Sequence, residues 1–337
     1  MNSYHFGGSY PNTRMRRMRH QSWRRTLHAE NRLHPSDFIW PIIVRTPDSE
    51  ASIPSMPGVK RFTLEELPQA VRDAYALGIR AVALFPQTPS LLKNESGSEA
   101  WNRDNLVCRA IQTLKNTCPE MGVIADVALD PYTSHGHDGV VIQGTVANDE
   151  TIGALINQAI ALAESGVDAI APSDMMDGRV GVIRAEMDNE GYENVAIFSY
   201  GAKYASSLYG PFRNACGSGK SLGTADKKTY QMDPRNGKEA MRELALDVQE
   251  GADALIVKPG TFYLDIVKEA SATFPIPIHA YHVSGECAML KVAAEKGILD
   301  YNRALMENLI AFKRAGASVI WSYAALDAVR LLGDSSL

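Results

Sequence analysis

The 337-residue chain is 45% hydrophobic and 22% charged, which are the proportions of a globular protein with a sizeable core. No apolar run approaches the roughly 20 residues needed to cross a bilayer, and the first residues lack an apolar signal-peptide core. We therefore expect a cytoplasmic protein with no membrane partner. The four cysteines are scattered and form no CxxC pair, which argues against a disulfide framework and against a thiolate zinc site.

The N-terminal arm, residues 1–35, is strongly basic. The first 36 residues hold seven arginines and one glutamate, a net charge of +6, so the other residues carry −11. Such a segment can bind nucleic acid or pack against an acidic neighbouring subunit. Its arginines are interspersed with Met15, Met18, Trp23 and Leu27, and no second basic patch follows. We predict an arm for subunit packing and no nucleic-acid partner, with RNA binding as the alternative and an organellar transit peptide as a further one.

Residues 36–337 alternate short apolar runs with helical patterns. The eight runs, rich in Val, Ile, Ala and Phe as doubly buried strands are, cover 38–44, 79–85, 123–129, 168–173, 195–200, 254–258, 278–283 and 319–323. Four glycines are placed to end helices just before a strand: Gly78, Gly166, Gly251 and Gly316. Eight such units predict one catalytic α/β domain, a (β/α)8 TIM barrel. The alternative is a doubly wound open sheet, but no GxGxxG follows the first run.

Active sites of such barrels lie at the carboxyl ends of the strands. Six side chains stand at or just beyond these ends: Asp126, Ser173, Lys203, Lys258, Ser284 and Tyr323. Two long segments, 130–147 and 204–236, interrupt the strand–helix rhythm, and loops of this length are commonly lids or binding loops.

Two lysines stand out among these residues. Lys258 ends a buried apolar run, where desolvation disfavours the ammonium form and leaves the neutral amine that attacks a ketone. A lysine that simply reaches water at the rim is the alternative. Lys203 follows the fifth run, and consecutive barrel strands are usually neighbours. Two amines held about 4.8 Å apart repel as ammonium ions, so we predict a pair of uncharged, adjacent amines.

An aspartate-rich stretch follows the third run. Residues 126–138 contain Asp126, Asp130 and Asp138, with His135 and His137 between the last two. These groups could bind a hard cation, or hold a substrate ammonium group and transfer protons, or form an ordinary polar turn. Their expected place at the same rim as the lysines favours a role in the site.

Basic and amide side chains in the second long segment complete the pattern. Arg213, Lys227 and Gln231 could grip a carboxylate, although exposed loops carry such groups for solubility as well. Together the residues predict a keto-acid substrate and imine chemistry. A class I aldolase using one lysine is the alternative enzyme, but it would leave Lys203 without a role.

Several longer motifs resemble those of the porphobilinogen synthase (5-aminolevulinate dehydratase) family. They are SerMetProGly at 55–58, AlaProSerAspMetMetAspGlyArg at 171–179, AlaLysTyrAlaSer at 202–206, TyrGlyProPheArg at 209–213, ValLysProGly at 257–260, ValSerGlyGlu at 283–286 and PheLysArgAlaGlyAla at 312–317. The resemblance extends from the arm to Tyr323. It implies that two 5-aminolevulinate molecules condense to porphobilinogen with loss of two waters, an early step of heme and tetrapyrrole biosynthesis.

The resemblance also implies individual roles. Lys258 would form the Schiff base with the first substrate and Lys203 with the second. The first carboxylate would be held by Ser284 and Tyr323, and the second by Arg213, Lys227 and Gln231. The polar groups near the reacting amines would be Asp126, Ser173 and Asp138.

Metal and assembly expectations follow from the same resemblance. Zinc-dependent members carry cysteines where this chain has Ala128, Asp130 and Asp138, so the resemblance implies the zinc-independent, magnesium-stimulated type. Glu243 matches an allosteric Mg²⁺ ligand there. The family implies a homo-octamer embraced by the N-terminal arms, with a hexamer as the other known form. Cys287 departs from a common tyrosine and could loosen packing behind Ser284, and TrpSerTyr at 321–323 replaces a usual ThrTyr.

Overall fold

The computed structural model describes residues 7–217, 222 and 226–333. The chain divides into two compact units, residues 1–32 and 33–337. In the smaller unit, a 3-10 helix (Met15–Met18) precedes helix α1 (Ser22–Leu27), and neither contains a buried residue. Met15, Trp23 and Leu27 are 67%, 57% and 64% exposed. This unit therefore presents apolar side chains between its arginines.

The larger unit is a closed barrel. Its eight strands are β1 (Phe38–Val44), β2 (Ala81–Pro86), β3 (Gly122–Val127), β4 (Ala169–Pro172), β5 (Ala196–Lys203), β6 (Ala254–Lys258), β7 (Ile278–His282) and β8 (Val319–Ser322). Each strand pairs in parallel with the next in the chain, and β8 pairs with β1. The prediction of a (β/α)8 barrel is confirmed.

Helices fill the connections between the strands. They are α2 (Leu67–Ala76), α3 (Leu106–Thr117), α4 (Asn148–Glu164), α5 (Arg179–Asn189), α6 (Gly210–Cys216), α7 (Lys238–Gln249), α8 (Leu264–Thr273), α9 (Ser284–Glu295), α10 (Tyr301–Ala315) and α11 (Ala325–Gly333). The four glycines expected to end helices all have left-handed φ angles, between 90° and 110°. Residues that carry a Cβ rarely adopt this backbone conformation, which explains why glycine occupies these four positions.

The core forms because the strands are apolar on both faces. All residues of β1, β6 and β7 are buried, and the helices pack their apolar stripes against the outside of the barrel. Within the described residues, no helix combines the length and the apolar character that a membrane span requires.

Two local features differ from the sequence expectation. Strand β5 continues to Lys203 instead of ending at residue 200, because one extra residue between Ser199 and Ala202 makes a β-bulge that lets pairing resume. Lys203 therefore ends the strand and does not follow it. The long segment 130–147 contains a small antiparallel hairpin, Val141–Ile142 with Thr145–Val146.

Candidate active site

The two lysines lie side by side at the rim of the barrel. Lys203 ends β5, Lys258 ends β6, and the two residues are direct partners in the parallel pairing of these strands. Both side chains are buried. The predicted adjacency is thus found in the structure, on the rim where barrel enzymes place their catalytic groups.

Aromatic rings surround the amine of Lys258. Its Nζ lies 4.6–5.5 Å from the centroids of four rings, those of Tyr200, Tyr209, Phe212 and Tyr281. Burial, reinforced by the charge of Lys203, lowers the pKa of Lys258 to about 7, while the carboxylate of Asp126 opposes the shift. A substantial share of Lys258 is therefore a neutral amine near neutral pH.

Oxygen acceptors surround the amine of Lys203. Its Nζ donates a hydrogen bond to Oδ2 of Asp138 at 3.4 Å and another to the carbonyl oxygen of Ser173. The sequence predicted two uncharged amines, from desolvation at Lys258 and from repulsion between the two ammonium groups at Lys203. In the structure aromatic rings surround Lys258, whereas Lys203 contacts a carboxylate and a carbonyl oxygen.

Asp138 is the centre of a buried polar network. Lys227 donates to its Oδ1 at 2.6 Å and lies 3.3 Å from Asp130, and Gln231 donates to its Oδ2 at 3.4 Å. Burial opposes ionisation of Asp138, but the ammonium groups of Lys203 and Lys227 outweigh burial and hold its pKa below the ordinary value. The Lys227 ammonium thus stands between two carboxylates, where the sequence left a hard cation as one possibility.

Asp126 lies close to both lysines. Its Oδ1 is buried and has no hydrogen-bond partner among the described residues. Burial raises the pKa of Asp126 to about 7, against the opposing charges of Lys203 and Lys258. A carboxyl group that exchanges its proton near neutral pH is suited to general acid–base work.

A small cavity joins these groups. It is lined by most of the predicted site residues, namely Asp126, Ser173, Lys203, Arg213, Lys227, Gln231 and Lys258. Arg213, on α6, lies with its guanidinium 5.9 Å from the ring of Tyr209. Side chains from β3, β4, β5, β6 and the long segment after β5 therefore meet in one place.

Ser284 and Tyr323 line a neighbouring cavity and not the space around the lysines. Ser284 begins α9, and its Oγ accepts a hydrogen bond from the backbone N–H of Phe212 at 3.0 Å. The hydroxyl oxygens of Tyr323 and Tyr281 are 3.3 Å apart, and the Tyr281 ring faces Lys258. Ser284 therefore contacts Phe212, and Tyr323 contacts Tyr281, and the rings of Phe212 and Tyr281 in turn lie next to Lys258.

The two departures from the family pattern are both buried. Cys287 also lines the cavity beside Ser284, with its Sγ 3.2 Å from Nδ1 of His282. Burial raises the pKa of its thiol to about 12, so Cys287 is an unreactive thiol. Loosened packing at this position stays a prediction. Trp321 stacks on Tyr281, with the ring centroids 5.4 Å apart.

Glu243 lies on α7, on the outside of the barrel. It lines cavities that also contain Asp177 and Glu239, and burial raises the pKa of its carboxyl group above the ordinary value. In the described part of the chain, no three His, Cys, Asp or Glu side chains are close enough to hold a metal ion directly. A Mg²⁺ ion that keeps most of its waters fits a half-buried carboxylate with two acidic neighbours.

Two sets of contacts were not anticipated from the sequence. The first is the group of four rings around Lys258. Tyr200 lies on β5, which ends at Lys203, and Tyr281 lies on β7, which pairs with the strand that ends at Lys258. These positions in the sequence could have indicated that the two rings lie near the lysines. The second is a buried ion pair between Arg179 and Asp247, whose partners are 68 residues apart in the chain. No sequence spacing indicated that pairing.

A closed (β/α)8 barrel with two buried lysines at its rim, one in apolar surroundings, is typical of enzymes that form imines with ketones. The family model described as delta-aminolevulinic acid dehydratase matches residues 12–331. The chain belongs to the delta-aminolevulinic acid dehydratase family, as the sequence motifs predicted.

Individual relatives agree with this assignment. The delta-aminolevulinic acid dehydratase of Bradyrhizobium diazoefficiens is 51% identical over 320 residues, covering 95% of this chain and 90% of the relative. That of Rhodobacter capsulatus is 46% identical, covering 96% and 98%. The crystal structure of the Toxoplasma gondii enzyme, in complex with the reaction product porphobilinogen, superposes with a TM-score of 0.92 at 48% identity and covers 94% and 91% of the two chains.

Proposed function

We propose that this chain condenses two molecules of 5-aminolevulinate into one porphobilinogen and two waters, an early step of tetrapyrrole biosynthesis. The observation that carries the proposal is the pairing of Lys203 with Lys258 at the end of neighbouring strands, in one space with carboxylates and cationic groups. Membership of the delta-aminolevulinic acid dehydratase family supports the substrate.

The first imine forms at Lys258. Its neutral Nζ attacks the keto carbon of one substrate, a C–N bond forms, and the keto oxygen leaves as water. The four rings exclude water from this amine and help keep it uncharged. Ser284 and Tyr323 hold the carboxylate of this substrate. Phe212 lies between Ser284 and Lys258, and Tyr281 lies between Tyr323 and Lys258.

The second imine forms at Lys203, with loss of the second water. Arg213, Lys227 and Gln231 hold the carboxylate of this substrate, and Asp138 and the Ser173 carbonyl orient the amine. Asp126, with a pKa of about 7, exchanges protons as the carbon–carbon and carbon–nitrogen bonds of the ring form. Completion of the pyrrole releases both lysines, so the atoms of two substrates balance one product and two waters.

A trapping experiment tests the double imine. Incubation with 5-aminolevulinate followed by borohydride reduces imines to stable amines, and peptide mass spectrometry locates them. We expect an adduct on Lys258 and, at higher substrate concentration, a second on Lys203. An unlabelled Lys258 in protein that still produces porphobilinogen would overturn the assignment.

We propose that the enzyme is zinc-independent and stimulated by Mg²⁺ bound near Glu243. The proposal is supported by the absence of a thiolate at positions 128, 130 and 138 and by the carboxylates of Asp177 and Glu239, which line the same cavity as Glu243. When bound, the hydrated ion supplies positive charge to a half-buried carboxylate. Mg²⁺ should raise activity and a zinc-selective chelator should barely lower it. Inactivation by that chelator, reversed only by zinc, would contradict the proposal.

The substitution Glu243→Gln tests the site itself. Titration calorimetry should detect Mg²⁺ binding to the unaltered protein and much weaker binding to this variant. A matched control is Glu190→Gln, which neutralises an exposed carboxylate at the end of α5. Unchanged Mg²⁺ binding by the Glu243 variant would rule out this ligand.

We propose that the N-terminal arm packs against other subunits in a homo-octamer, with a hexamer as the alternative assembly, in the cytoplasm. Exposed apolar residues between the arginines of the arm support this role. Light scattering should give the mass of eight chains, and removal of residues 1–35 should lower it. Salt-sensitive RNA binding that depends on the arm would favour the alternative partner.

A further inference from the structure

The β-bulge in β5 determines where Lys203 points. Strands β5 and β6 pair Ser199 with Leu255, yet the next pairs are Ala202 with Val257 and Lys203 with Lys258, so β5 contains one extra residue. Because side chains alternate along a strand, a shift of one residue decides which side chain faces the partner lysine. Lys203 meets Lys258 only while the bulge is kept.

A buried ion pair holds this bulge in place. Arg179, at the start of α5, donates to Oδ1 of Asp247 at 2.6 Å, to Ser199 Oγ at 3.1 Å and to the carbonyl of Tyr200 at 3.3 Å. Ser199 Oγ in turn donates to Oδ2 of Asp247 at 2.6 Å. A Cβ at Gly201 would lie only 2.7 Å from Oδ2 of Asp247, so the strand can approach this closely because the residue is glycine.

The Arg179 guanidinium also lies near Ser173, whose carbonyl oxygen accepts a hydrogen bond from Lys203. Asp174, next to Ser173, lies 3.9 Å from Nε of Arg179, and its Oδ1 accepts the backbone N–H of Met176. Met175, between them, has a left-handed φ of 69°, which is strained for a residue with a side chain. The Ser173 carbonyl, which accepts a hydrogen bond from Lys203, therefore precedes a turn that is held by the contacts of Asp174 with Arg179 and with the backbone of Met176.

None of the residues Arg179, Asp247 and Ser199 lines the space that contains the two lysines. All three are buried. Burial disfavours the Arg179 cation, but Asp247 and Asp174 outweigh burial and raise its pKa above the ordinary value. A buried ion pair that also donates to the Ser199 hydroxyl and to the Tyr200 carbonyl of β5 acts on the structure of the strand, not on substrate.

We propose that Arg179, Asp247 and Ser199 form a positioning clamp for the second imine-forming lysine. The clamp fixes the β5 bulge and thereby the direction of Lys203, whereas Lys258 lies on β6 and meets the bulged segment through the ring of Tyr200, one of its four aromatic neighbours, not through the clamp residues. This inference rests on the proposed function, because it assigns different determinants to the two imines.

The test compares borohydride trapping at the two lysines in the full-length protein. Ser199→Ala removes one contact of the clamp without leaving a buried charge, and Arg179→Lys keeps the charge but loses the planar set of donors. We expect adducts on Lys203 to fall about tenfold or more, because small displacements of a reacting group are costly, and adducts on Lys258 to stay within about twofold. Arg103→Ala, which breaks the exposed ion pair with Glu164, is the matched control and should change neither.

The possible results separate the alternatives. Selective loss at Lys203 supports the clamp, and the retained Lys258 adduct shows that the barrel is folded. An unchanged ratio of adducts in folded variants overturns it. Equal loss at both lysines together with a lowered Tm also overturns it, because that pattern indicates a general structural role. If unaltered protein labels neither lysine, the proposed function itself fails.

Discussion

The two lysines of the site occupy opposite environments although they are partners on adjacent strands. Lys258 faces four aromatic rings at 4.6–5.5 Å, whereas Lys203 faces a carboxylate at 3.4 Å and a backbone carbonyl. Rings offer a charged amine only weak compensation for lost water, and ionised or polar oxygens offer much more. Two lysines that are paired on adjacent strands therefore differ in chemical environment because different side chains surround each amine.

This difference suggests an order of events. An uncharged amine attacks a ketone directly, and with a pKa of about 7 about half of Lys258 has that form at neutral pH. Lys203 must first leave its contacts with Asp138 and the Ser173 carbonyl. The first substrate should therefore be captured at Lys258 and the second at Lys203.

The largest expected effect comes from removing each amine in turn. Lys258→Met should abolish pyrrole formation, by at least about 10⁴-fold, as is usual when a covalent nucleophile is lost. Lys203→Met should abolish it as well, yet borohydride should still attach one substrate to Lys258. Pyrrole formation and adduct mass measure these outcomes. A Lys203 variant that still condenses the substrate would reduce the site to one essential lysine, as in a class I aldolase.

The fold could be predicted from the sequence because its causes are local. Apolar runs identified all eight strands to within a few residues, and glycines with φ near 100° end helices where expected. The strand ends also indicated the rim that carries Lys203 and Lys258. Membership of the family followed from motifs of four to nine residues and was confirmed.

The different surroundings of the two lysines could not be predicted, because they depend on contacts between distant segments. Lys227 and Asp138 form their ion pair across 89 residues, and the ring of Phe212 reaches Lys258 from α6, inside the long segment that follows β5. The β5 bulge was also missed, since an extra residue leaves no mark in an apolar run. The sequence therefore predicted two uncharged, adjacent amines but not these different surroundings.

The second largest effect is expected from changing the surroundings of Lys203. Asp138→Asn keeps the shape of the side chain but removes the charge that pairs with Lys203 and Lys227. We expect kcat to fall about 10²- to 10³-fold, in the range typical of groups that assist proton transfer. Trapping at Lys203 should fall while trapping at Lys258 persists. Equal losses at both lysines would show that the two environments are not independent.

A pH series probes the environment of Lys258. With a pKa of about 7, lowered mainly by burial, the neutral amine should rise from about a tenth at pH 6 to about nine tenths at pH 8. The initial rate of Lys258 trapping should increase roughly tenfold over this interval and then level off. Phe212→Leu opens one side of the ring cluster and should move the midpoint upward. A rate that keeps rising to pH 10 would mean an ordinary solvated lysine.

The smallest effect concerns the second substrate alone. In the proposed function Arg213 holds the carboxylate of the second substrate, and a guanidinium can do so with two parallel hydrogen bonds. Arg213→Lys leaves a single ammonium group that cannot make both. Loss of one such bond costs about 1 kcal/mol, so KM should rise about fivefold with kcat nearly unchanged. Because Arg213 lines the space shared with Lys203, trapping at Lys203 should require more substrate, whereas the concentration dependence at Lys258 should not move. If both dependences shifted together, Arg213 would serve the whole cavity, and the division of the site into two substrate positions would have to be drawn elsewhere.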